Sequence, residues 1–402
     1  YRDIKNLIFY LYLTSGPNDP LKDSVKSILK NKMKEEWQED GNLINMVNSL
    51  IIKDLKNHNK FKNLVATRYS HSLVVNPYYG TVWSWGNGED GQLGHGIKMD
   101  RSQQNLIQAL KGKNVTAIDT GNKHSLALTE RGGVYSWGNG QEGRLGHSNN
   151  EEQLIPKLIM ELDGKNVVAI SAGGEHSLAL TKSGNVYSWG NGEKGQLGHS
   201  NKQDQFKPKL INAEWDEQVV AVSAGWEHSL ALTKSGNMYS WGNGQEGRLG
   251  HSNDEEQLIP KLIQALKGKN VVEIDAGREH SLALTKSGDV YSWGNGREGR
   301  LGHNDYVNQL KPTLMLNHWN DQIVAVSAGS EHSLALTKSG VVWHWGRIGN
   351  TIQGQRENTL VPYPIEGLGE QGEEVLSVSA GEYFSLAATE SGIWSWGINL
   401  FN

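Results

Sequence analysis

A glycine-rich stretch is the first feature of this sequence whose residue types and spacing could do chemistry. Residues 138–143 read Gly-Asn-Gly-Gln-Glu-Gly, the G-x-G-x-x-G pattern that binds a dinucleotide pyrophosphate when a strand precedes it and a helix follows. The residues that follow, 144–157, include Gly146, Ser148 and Pro156 and have no apolar positions at helical spacing. Because the phosphate is held by the free N–H groups of that helix, we predict a structural loop and no cofactor.

Histidines are the second candidate, since imidazoles are common metal ligands. The chain has 14 histidines, and eleven of them stand in two short motifs, "HS" and "LGH", that return along the sequence. Zinc needs three or four ligands that converge on one ion, whereas equivalent residues of separate repeats do not converge. We therefore predict no metal site and interpret each histidine as tying its own turn by hydrogen bonds.

The fixed interval between these motifs predicts the fold. The tryptophan of "WGNG" returns every 52 residues from Trp85 to Trp345, and Trp396 follows after 51. Each unit holds four short segments rich in Val, Ile, Leu, Tyr and Trp, separated by Gly, Asn, Asp and Ser, which we interpret as strands A to D. Seven such units predict an all-β, seven-bladed propeller over residues 61–402, with the repeated tryptophans in the blade cores.

Residues 1–60 do not share the repeat. Asp19 and Pro20 form a helix start, and apolar residues at helical spacing follow, so we predict a short α-helical segment. Only six D strands are found, because the chain ends shortly after Trp396. The outer strand of the last blade then comes either from Asn6–Leu13 or from residues beyond Asn402, and the first is favoured.

Composition narrows the classes of partner. The formal net charge of −5 does not suggest a nucleic-acid partner. The absence of cysteine excludes disulfides and thiolate sites and agrees with a cytoplasmic location. No apolar run reaches the roughly 18 residues of a spanning helix, so no membrane span is expected. We expect a monomer that binds a protein partner.

The candidate interface follows from topology. Strands in a blade run up and down, so the A–B turn and the C–D loop share one face, and the A strand lies innermost. Residues just after "AG" therefore surround the axial opening, and they change from blade to blade while their neighbours stay fixed. The predicted partner-binding residues are Arg68, Tyr69, Asn122, Lys123, Glu175, Trp226, Glu227, Arg278, Glu279, Ser330, Glu331, Glu382 and Tyr383.

Trp226, Arg278 and Tyr383 are residue types that form interface hot spots. The alternative is that these residues are solvated turn tips, with the four glutamates before "HS" capping backbone N–H groups. The aberrant sixth C–D loop adds Arg347, Gln353, Gln355 and Arg356, either to the same face or as a degenerate repeat.

The unit "VVAISAGGEHSLALTKSGNVYSWGNGEKGQLGH" resembles the repeats of the regulator of chromosome condensation (RCC1) family. The resemblance covers residues 61–402 and implies a seven-bladed propeller. The resemblance also implies regulation of a small GTPase. The founding member of the family that this chain resembles is a guanine-nucleotide exchange factor, which uses one propeller face to hold Ran in its nucleotide-free state. The residues onto which this role carries over are Asn122, Lys123, Glu175, Glu227, Arg278, Glu279 and Glu331, with His280 and His332 as further members.

Two departures bear on that role. The 52-residue step leaves no room for the inserted wedge-like hairpin of that exchange factor, and the aspartate expected after one "AG" is not found. The alternative is a non-enzymatic propeller that recruits a protein partner, and the near-identical, Lys-, Asn- and Ile-rich units resemble effectors of intracellular bacteria that act on host GTPase pathways. An ultraviolet photoreceptor is disfavoured because only residues 225–228 match the "GWxHS/T" turn of plant receptors of this family. Chromatin binding is disfavoured because residues 1–60 mix acids and bases. No covalent catalytic site is expected.

Overall fold

The computed structural model describes residues 64–397 apart from 77–78, 317–318, 320, 351–355, 369–374 and 390–391. All of them lie in the second of the two units into which the chain divides, Asn63–Asn402. The predicted helical segment at residues 1–60, its closing strand Asn6–Leu13 and the loop residues Gln353 and Gln355 lie outside the described residues. Among the described residues, no helix is long and apolar enough to cross a membrane.

Seven antiparallel sheets follow one another along the chain, which confirms the seven-bladed propeller. Blade 1 holds β1 (Val65–Thr67), β2 (His71–Asn76), β3 (Thr81–Gly86) and β4 (Arg101–Leu106). Blade 2 holds β5 (Val115–Thr120), β6 (His124–Thr129), β7 (Val134–Gly138) and β8 (Gln153–Leu158). Blade 3 holds β9 (Val167–Ala172), β10 (His176–Thr181), β11 (Val186–Gly190) and β12 (Gln205–Leu210). Blade 4 holds β13 (Val219–Ala224), β14 (His228–Thr233), β15 (Met238–Gly242) and β16 (Gln257–Leu262).

Blade 5 repeats this pattern, and blades 6 and 7 depart from it. Blade 5 holds β17 (Val271–Ala276), β18 (His280–Thr285), β19 (Val290–Gly294) and β20 (Gln309–Leu314). Blade 6 holds β21 (Ile323–Ala328), β22 (His332–Thr337) and two longer strands, β23 (Val342–Asn350) and β24 (Arg356–Pro364). Blade 7 holds β25 (Val375–Ala380), β26 (Phe384–Thr389) and β27 (Ile393–Gly397), three strands within the described residues. Within the described residues, six short 3-10 helices lie in the connections: Gln108–Leu110, Gln141–Gly143, Met160–Leu162, Gln245–Gly247, Gln264–Leu266 and Arg297–Gly299.

The second strand of each blade explains why the sequence "HSLALT" repeats. All six residues of β10 are buried, because both faces of the blade pack on neighbouring blades and both sets of alternating side chains point into a core. The repeated tryptophans lie in the same cores, as predicted, and Trp189 and Trp241 are fully buried. The B–C turn uses Gly184 at a φ of +88°, a conformation that glycine adopts without a Cβ penalty.

The outermost strands of blades 2 to 5 form one edge of their sheets. β8, β12, β16 and β20 each contain one proline, namely Pro156, Pro208, Pro260 and Pro312. Proline has no N–H to donate, so these edges are poor templates for pairing with another chain.

The ring closes between the first and last blades. The Thr67 amide donates to Ser379 Oγ at 3.0 Å, and that hydroxyl donates back to the Thr67 carbonyl at 3.2 Å. β1 contacts both β25 and β26. The two residues are 312 positions apart, so this contact fixes the long-range topology of the propeller.

Candidate functional site

Six histidines of the "HS" motif join neighbouring blades. Each Nε2 bonds the serine hydroxyl of the following blade at 2.7–3.0 Å. The pairs are His71 with Ser125, His124 with Ser177, His176 with Ser229, His228 with Ser281, His280 with Ser333, and His332 with Ser385. The expectation that each histidine ties its own turn is therefore wrong for this set, because the ring points across the blade interface.

The serine fixes the protonation state of the imidazole. Ser177 Oγ donates its single hydrogen to the Arg144 carbonyl at 3.1 Å, so it accepts from His124 Nε2, which must carry the ring hydrogen. The Nδ1 atom of each of these six histidines has no hydrogen-bond partner among the described residues. Burial lowers the pKa of His176 to about 3, as expected where a second proton would create an unpaired charge.

The five "LGH" histidines behave as predicted and bind within their own blade. His147 Nε2 bonds Ser136 Oγ at 2.9 Å, and that hydroxyl donates to the Leu145 carbonyl at 2.7 Å. Equivalent bonds hold the loops at His95, His199, His251 and His303. Among the described residues, no group of three or more histidine or acidic side chains could hold a metal ion.

The G-x-G-x-x-G loop is held as a turn. After Gly140 the chain forms only the three-residue 3-10 helix Gln141–Gly143, with Glu142 at a φ of 55°. A Cβ at Gly140 would stand 2.0 Å from the Glu151 carbonyl oxygen, so glycine is required for backbone contact within the loop. The helix N-terminus that a pyrophosphate needs does not follow the loop.

The ends of the innermost strands form a chain of hydrogen bonds around the axis. Ser171, Ser223, Ser327 and Ser379 each accept the amide of the next blade through Oγ at 3.0–3.1 Å. Asp119 and Asp275 do so through Oδ2 at 2.8 Å. Blade 1 has Ala66 at this position. Thr120, the next amide, instead bonds the carboxylate of its own neighbour Asp119 at 2.8 Å.

Arg68 and Tyr69 lie at the axial opening but are buried, at 8% and 2% exposure. The Arg68 guanidinium leaves blade 1, donates to the carbonyls of Ala224 and Ala276 and lies 3.4 Å from Asp275 Oδ1. These partners belong to blades 4 and 5, so the side chain crosses the axis. We predicted that these two residues lie on the surface and contact a partner, whereas the structure buries them beneath the surface. We call Arg68 and Tyr69, which fill the axis at this depth, the axial plug.

An aromatic and cationic cluster lies on top of that plug. The Tyr69 ring meets Trp226 edge to face, with centroids 4.9 Å apart and an interplanar angle of 77°. The Arg278 guanidinium carbon lies 4.7 Å from the Trp226 ring centroid, and its Nη1 is 3.7 Å from Glu382 Oε1. Four blades thus contribute to one cluster, in which Trp226, Arg278 and Glu382 are partly exposed and Tyr69 is buried. We call Tyr69, Trp226, Arg278 and Glu382 the axial cluster.

Backbone contacts explain why these positions are free to vary. The amides of Trp226, Arg278 and Ser330 bond glycine carbonyls of the next blade at 3.0–3.3 Å. The main chain makes these repeated hydrogen bonds, so the type of side chain is free to differ from blade to blade. A Cβ at Gly174 would lie 2.7 Å from the Trp226 carbonyl oxygen and 3.0 Å from Trp226 Cδ2. Glycine in blade 3 therefore leaves room for both the backbone and the indole ring of Trp226 in blade 4.

The four glutamates before "HS" do not cap these amides. Glu227 accepts from the Asn243 amide group at 2.7 Å and faces Arg248 at 4.0 Å. Glu279 accepts from Asn295 at 2.9 Å and faces Arg300 at 3.5 Å. Glu175 and Glu331 are placed in the same way beside Arg144 and Arg347, at 3.5 and 2.8 Å. Burial is the main cause that raises the pKa of Glu175, against the opposing effect of Arg144.

The other predicted residues fall into three environments. Lys123 is 47% exposed and lies 3.3 Å from Asp90, and Asn122 beside it is partly exposed. Tyr383 is partly exposed with the Arg347 guanidinium carbon 5.9 Å from its ring centroid. Ser330 is buried, and its hydroxyl has no hydrogen-bond partner among the described residues.

Sequence reasoning missed the arginines beneath the glutamates. The side chains of Arg144, Arg248 and Arg300 are only 2–4% exposed, yet each faces at least one carboxylate of this face. A signal was present, since the "G[R/Q]LGH" position carries arginine in these three blades and glutamine in blades 1 and 3. Asp119 and Asp275 were missed as well, at strand ends where other blades have serine or alanine.

Comparison with known proteins decides the family. The model of the RCC1-like domain matches residues 38–319, and the regulator of chromosome condensation (RCC1) repeat matches residues 323–355. The chain belongs to the RCC1 family. Among RCC1-family relatives, it is 38% identical over 296 residues to the human E3 ubiquitin-protein ligase HERC2, covering 73% of this chain and 6% of HERC2. It therefore spans only a small part of that relative.

Two further members of the RCC1 family match over most of their length. The ultraviolet-B receptor UVR8 of Arabidopsis thaliana is 35% identical over 320 residues, which is 79% of this chain and 72% of UVR8. The crystal structure of Prp20p from Saccharomyces cerevisiae, studied with its binding to Gsp1p and histones, superposes with a TM-score of 0.71. It is 26% identical and covers 85% of this chain and 84% of Prp20p.

Proposed function

We propose that this propeller binds a protein partner through the face formed by its A–B turns and C–D loops, and that the partner is a small GTPase whose nucleotide exchange it promotes. The observation that carries the proposal is the axial cluster. Repeated side chains of each unit are occupied by blade contacts, whereas Trp226 and Arg278 stand partly exposed at positions where the fold uses only the backbone. Tryptophan and arginine are the residue types that dominate binding energy at interfaces.

The chemistry required of such a face is binding, without a covalent step. A surface that binds the nucleotide-free GTPase more tightly than the loaded one must weaken nucleotide affinity by the same factor. The partly exposed carboxylates of Glu175, Glu227, Glu279 and Glu331 offer polar contacts around the cluster. Asn122, Lys123, Glu382 and Tyr383 extend them, while the buried Arg68, Tyr69 and Ser330 support the surface from below.

Family membership supports the proposal at a coarser level. Prp20p has been studied for its binding to Gsp1p and histones. The chain shares that propeller but has regular four-stranded blades 2 to 5, without an added hairpin in their described residues. Promotion of exchange in this chain would therefore depend on the face itself.

Release of a fluorescent GDP analogue from Ran and from a panel of other small GTPases tests the proposal. The chain at catalytic concentration is expected to accelerate release from one of them, and the double variant W226A/R278A is expected to lose that effect. V272A/K286A is the matched control, since both residues are exposed and lie outside the A–B turns and C–D loops. Equal activity of wild type and W226A/R278A would remove the axial cluster from the mechanism.

A non-enzymatic scaffold is the second candidate function. The pairing of each face glutamate with an arginine favours it, because a pre-organised surface binds a partner with little change of shape. The wild-type chain would then form a stable complex with its partner without accelerating nucleotide release, and W226A/R278A would not form that complex. This outcome would show that the chain recruits a partner and does not promote exchange.

A further inference from the structure

The axial cluster contains an arginine that occupies a site built for a cation. The Arg278 guanidinium stacks on the Trp226 ring, with 4.7 Å between the guanidinium carbon and the ring centroid, and faces the Glu382 carboxylate. An indole face and a carboxylate both attract a guanidinium group in proteins. We propose that Trp226 and Glu382 form a guanidinium site, occupied by Arg278 in the free chain and taken over by an arginine of the protein partner.

Arg278 is held loosely enough to be displaced. Its closest carboxylate atom is 3.7 Å away, beyond hydrogen-bond distance, and its side chain is 36% exposed. Exposed contacts of these two kinds each change an equilibrium by roughly two- to fivefold. By contrast, the buried Arg300 donates to the Ser330 carbonyl at 2.7 Å and is 4% exposed.

Trp226, one wall of the site, is held by contacts that do not involve the Arg278 side chain. Trp226 meets the buried Tyr69 ring edge to face on one side, and Gly174 leaves the room that its indole occupies. Its amide is bonded to the Gly277 carbonyl. The side chain of Glu382 is 24% exposed with Arg278 in place, so most of its surface is covered by the propeller and by Arg278.

The surrounding charge favours an incoming cation. Glu227 and Glu279 are 30% and 33% exposed, whereas the guanidinium groups that face them, on Arg248 and Arg300, are 4% exposed. The negative ends of these pairs are therefore at the surface and the positive ends lie beneath it. A partner with an arginine approaches an acidic rim, which steers association and is sensitive to salt.

The inference rests on the proposed function in one respect, namely that the guanidinium group that replaces Arg278 belongs to a protein partner. Its test uses N-acetylarginine amide as the probe and 5-fluorotryptophan-labelled protein, whose Trp226 fluorine signal is assigned from W226F. R278A vacates the site and is expected to reach half-saturation at a concentration about threefold or more below wild type. K123A is the matched control, because it removes another exposed cation of the same face.

The outcomes separate the explanations. N-acetylcitrulline amide, which has the same shape without charge, is expected to leave the signal unmoved, and E382Q is expected to raise the half-saturation concentration in the R278A background. If R278A and K123A lowered the half-saturation concentration of the probe equally, the change in net charge would explain the result and the site would be overturned. The site would also be overturned if adding the probe to R278A did not change the Trp226 fluorine signal. If free L-arginine bound more tightly than N-acetylarginine amide, the assignment of the site to an arginine of a protein partner would be overturned.

The same proteins distinguish this inference from the proposed function. If the probe binds R278A as expected while no GTPase binds the chain, the GTPase proposal fails and the guanidinium site stands. If a GTPase binds and the probe does not, the site fails and the proposed function stands.

Discussion

Histidine in this chain stabilises the propeller by staying neutral. The six buried imidazoles each bond a serine hydroxyl of the next blade through Nε2, and their Nδ1 atoms have no hydrogen-bond partner among the described residues. A proton added to Nδ1 would be a buried charge without a partner. The residue type that suggested a metal site is therefore used as a polar link between blades, and its pKa matters for stability.

The pH dependence of unfolding follows with a definite sign. Burial lowers the pKa of His176 to about 3, below the value near 6.5 in the unfolded chain. Below pH 6.5 the unfolded chain binds a proton that the folded chain excludes, so the stabilisation is complete above pH 6.5 and is lost as the pH falls towards 3. The variant H176Q is expected to lower the slope of unfolding free energy against pH by about 1.4 kcal/mol per pH unit between pH 5.5 and 4. Urea unfolding at several pH values measures it, and parallel curves for the two proteins would contradict it.

At the scale of elements, the strands were predictable and their partners were not. Apolar segments such as β10 and β11, bounded by glycine and asparagine, appear in the sequence as strands, and the structure confirms them. The period of 52 identifies which residues are equivalent, but it does not say whether a side chain points into its own blade or the next one. For this reason the two histidine motifs looked alike although one spans the interface, and Arg144 was not recognised beneath Glu175.

The sequence predicts which residues share the candidate face, but it does not predict which of them are buried beneath the surface. Alternation of strand direction placed the variable residues together, and the axial cluster lies where they were predicted. Burial of Arg68 and Tyr69 depends on how far a side chain reaches across the axis, which spacing along the chain does not encode. The closing strand at Asn6–Leu13 lies outside the described residues and stays a prediction.

The C–D loop gives a prediction at the element scale. In blade 4, a Cβ on Gly244 would stand 2.0 Å from the Glu255 carbonyl oxygen, whereas one on Gly268 meets nothing within 4 Å. G244A is therefore expected to destabilise the chain by about 3 kcal/mol or more through a backbone clash. G268A is expected to cost only about 1 kcal/mol, for an alanine at its φ of +77°. Chemical denaturation compares them, and similar losses would mean that the loop relaxes freely.

For the whole molecule, the junction between blades 7 and 1 differs from the other six. Phe384 stands where the other blades have histidine, so the link to the serine of the next blade is replaced there. Ser72, the corresponding serine of blade 1, bonds Thr67 Oγ1 at 3.3 Å instead. The junction closes through Ser379 and Thr67 at the inner strands. A closed ring opens first at its weakest interface, and this junction has lost a bond that every other one keeps.

Restoring that bond is expected to stabilise the closed ring. F384H places an imidazole beside Ser72, whose hydroxyl is able to accept from Nε2, and Phe384 is only partly buried, so the change costs little apolar burial. We expect a gain of about 1 kcal/mol in unfolding free energy and slower hydrogen exchange in β1 and β25. H332F is the matched control, because it removes the equivalent link to Ser385 and is expected to cost about 1–3 kcal/mol. If F384H left exchange in β1 unchanged while H332F destabilised as expected, the seventh junction would be held by its inner strands alone, and phenylalanine there would carry no penalty for the ring.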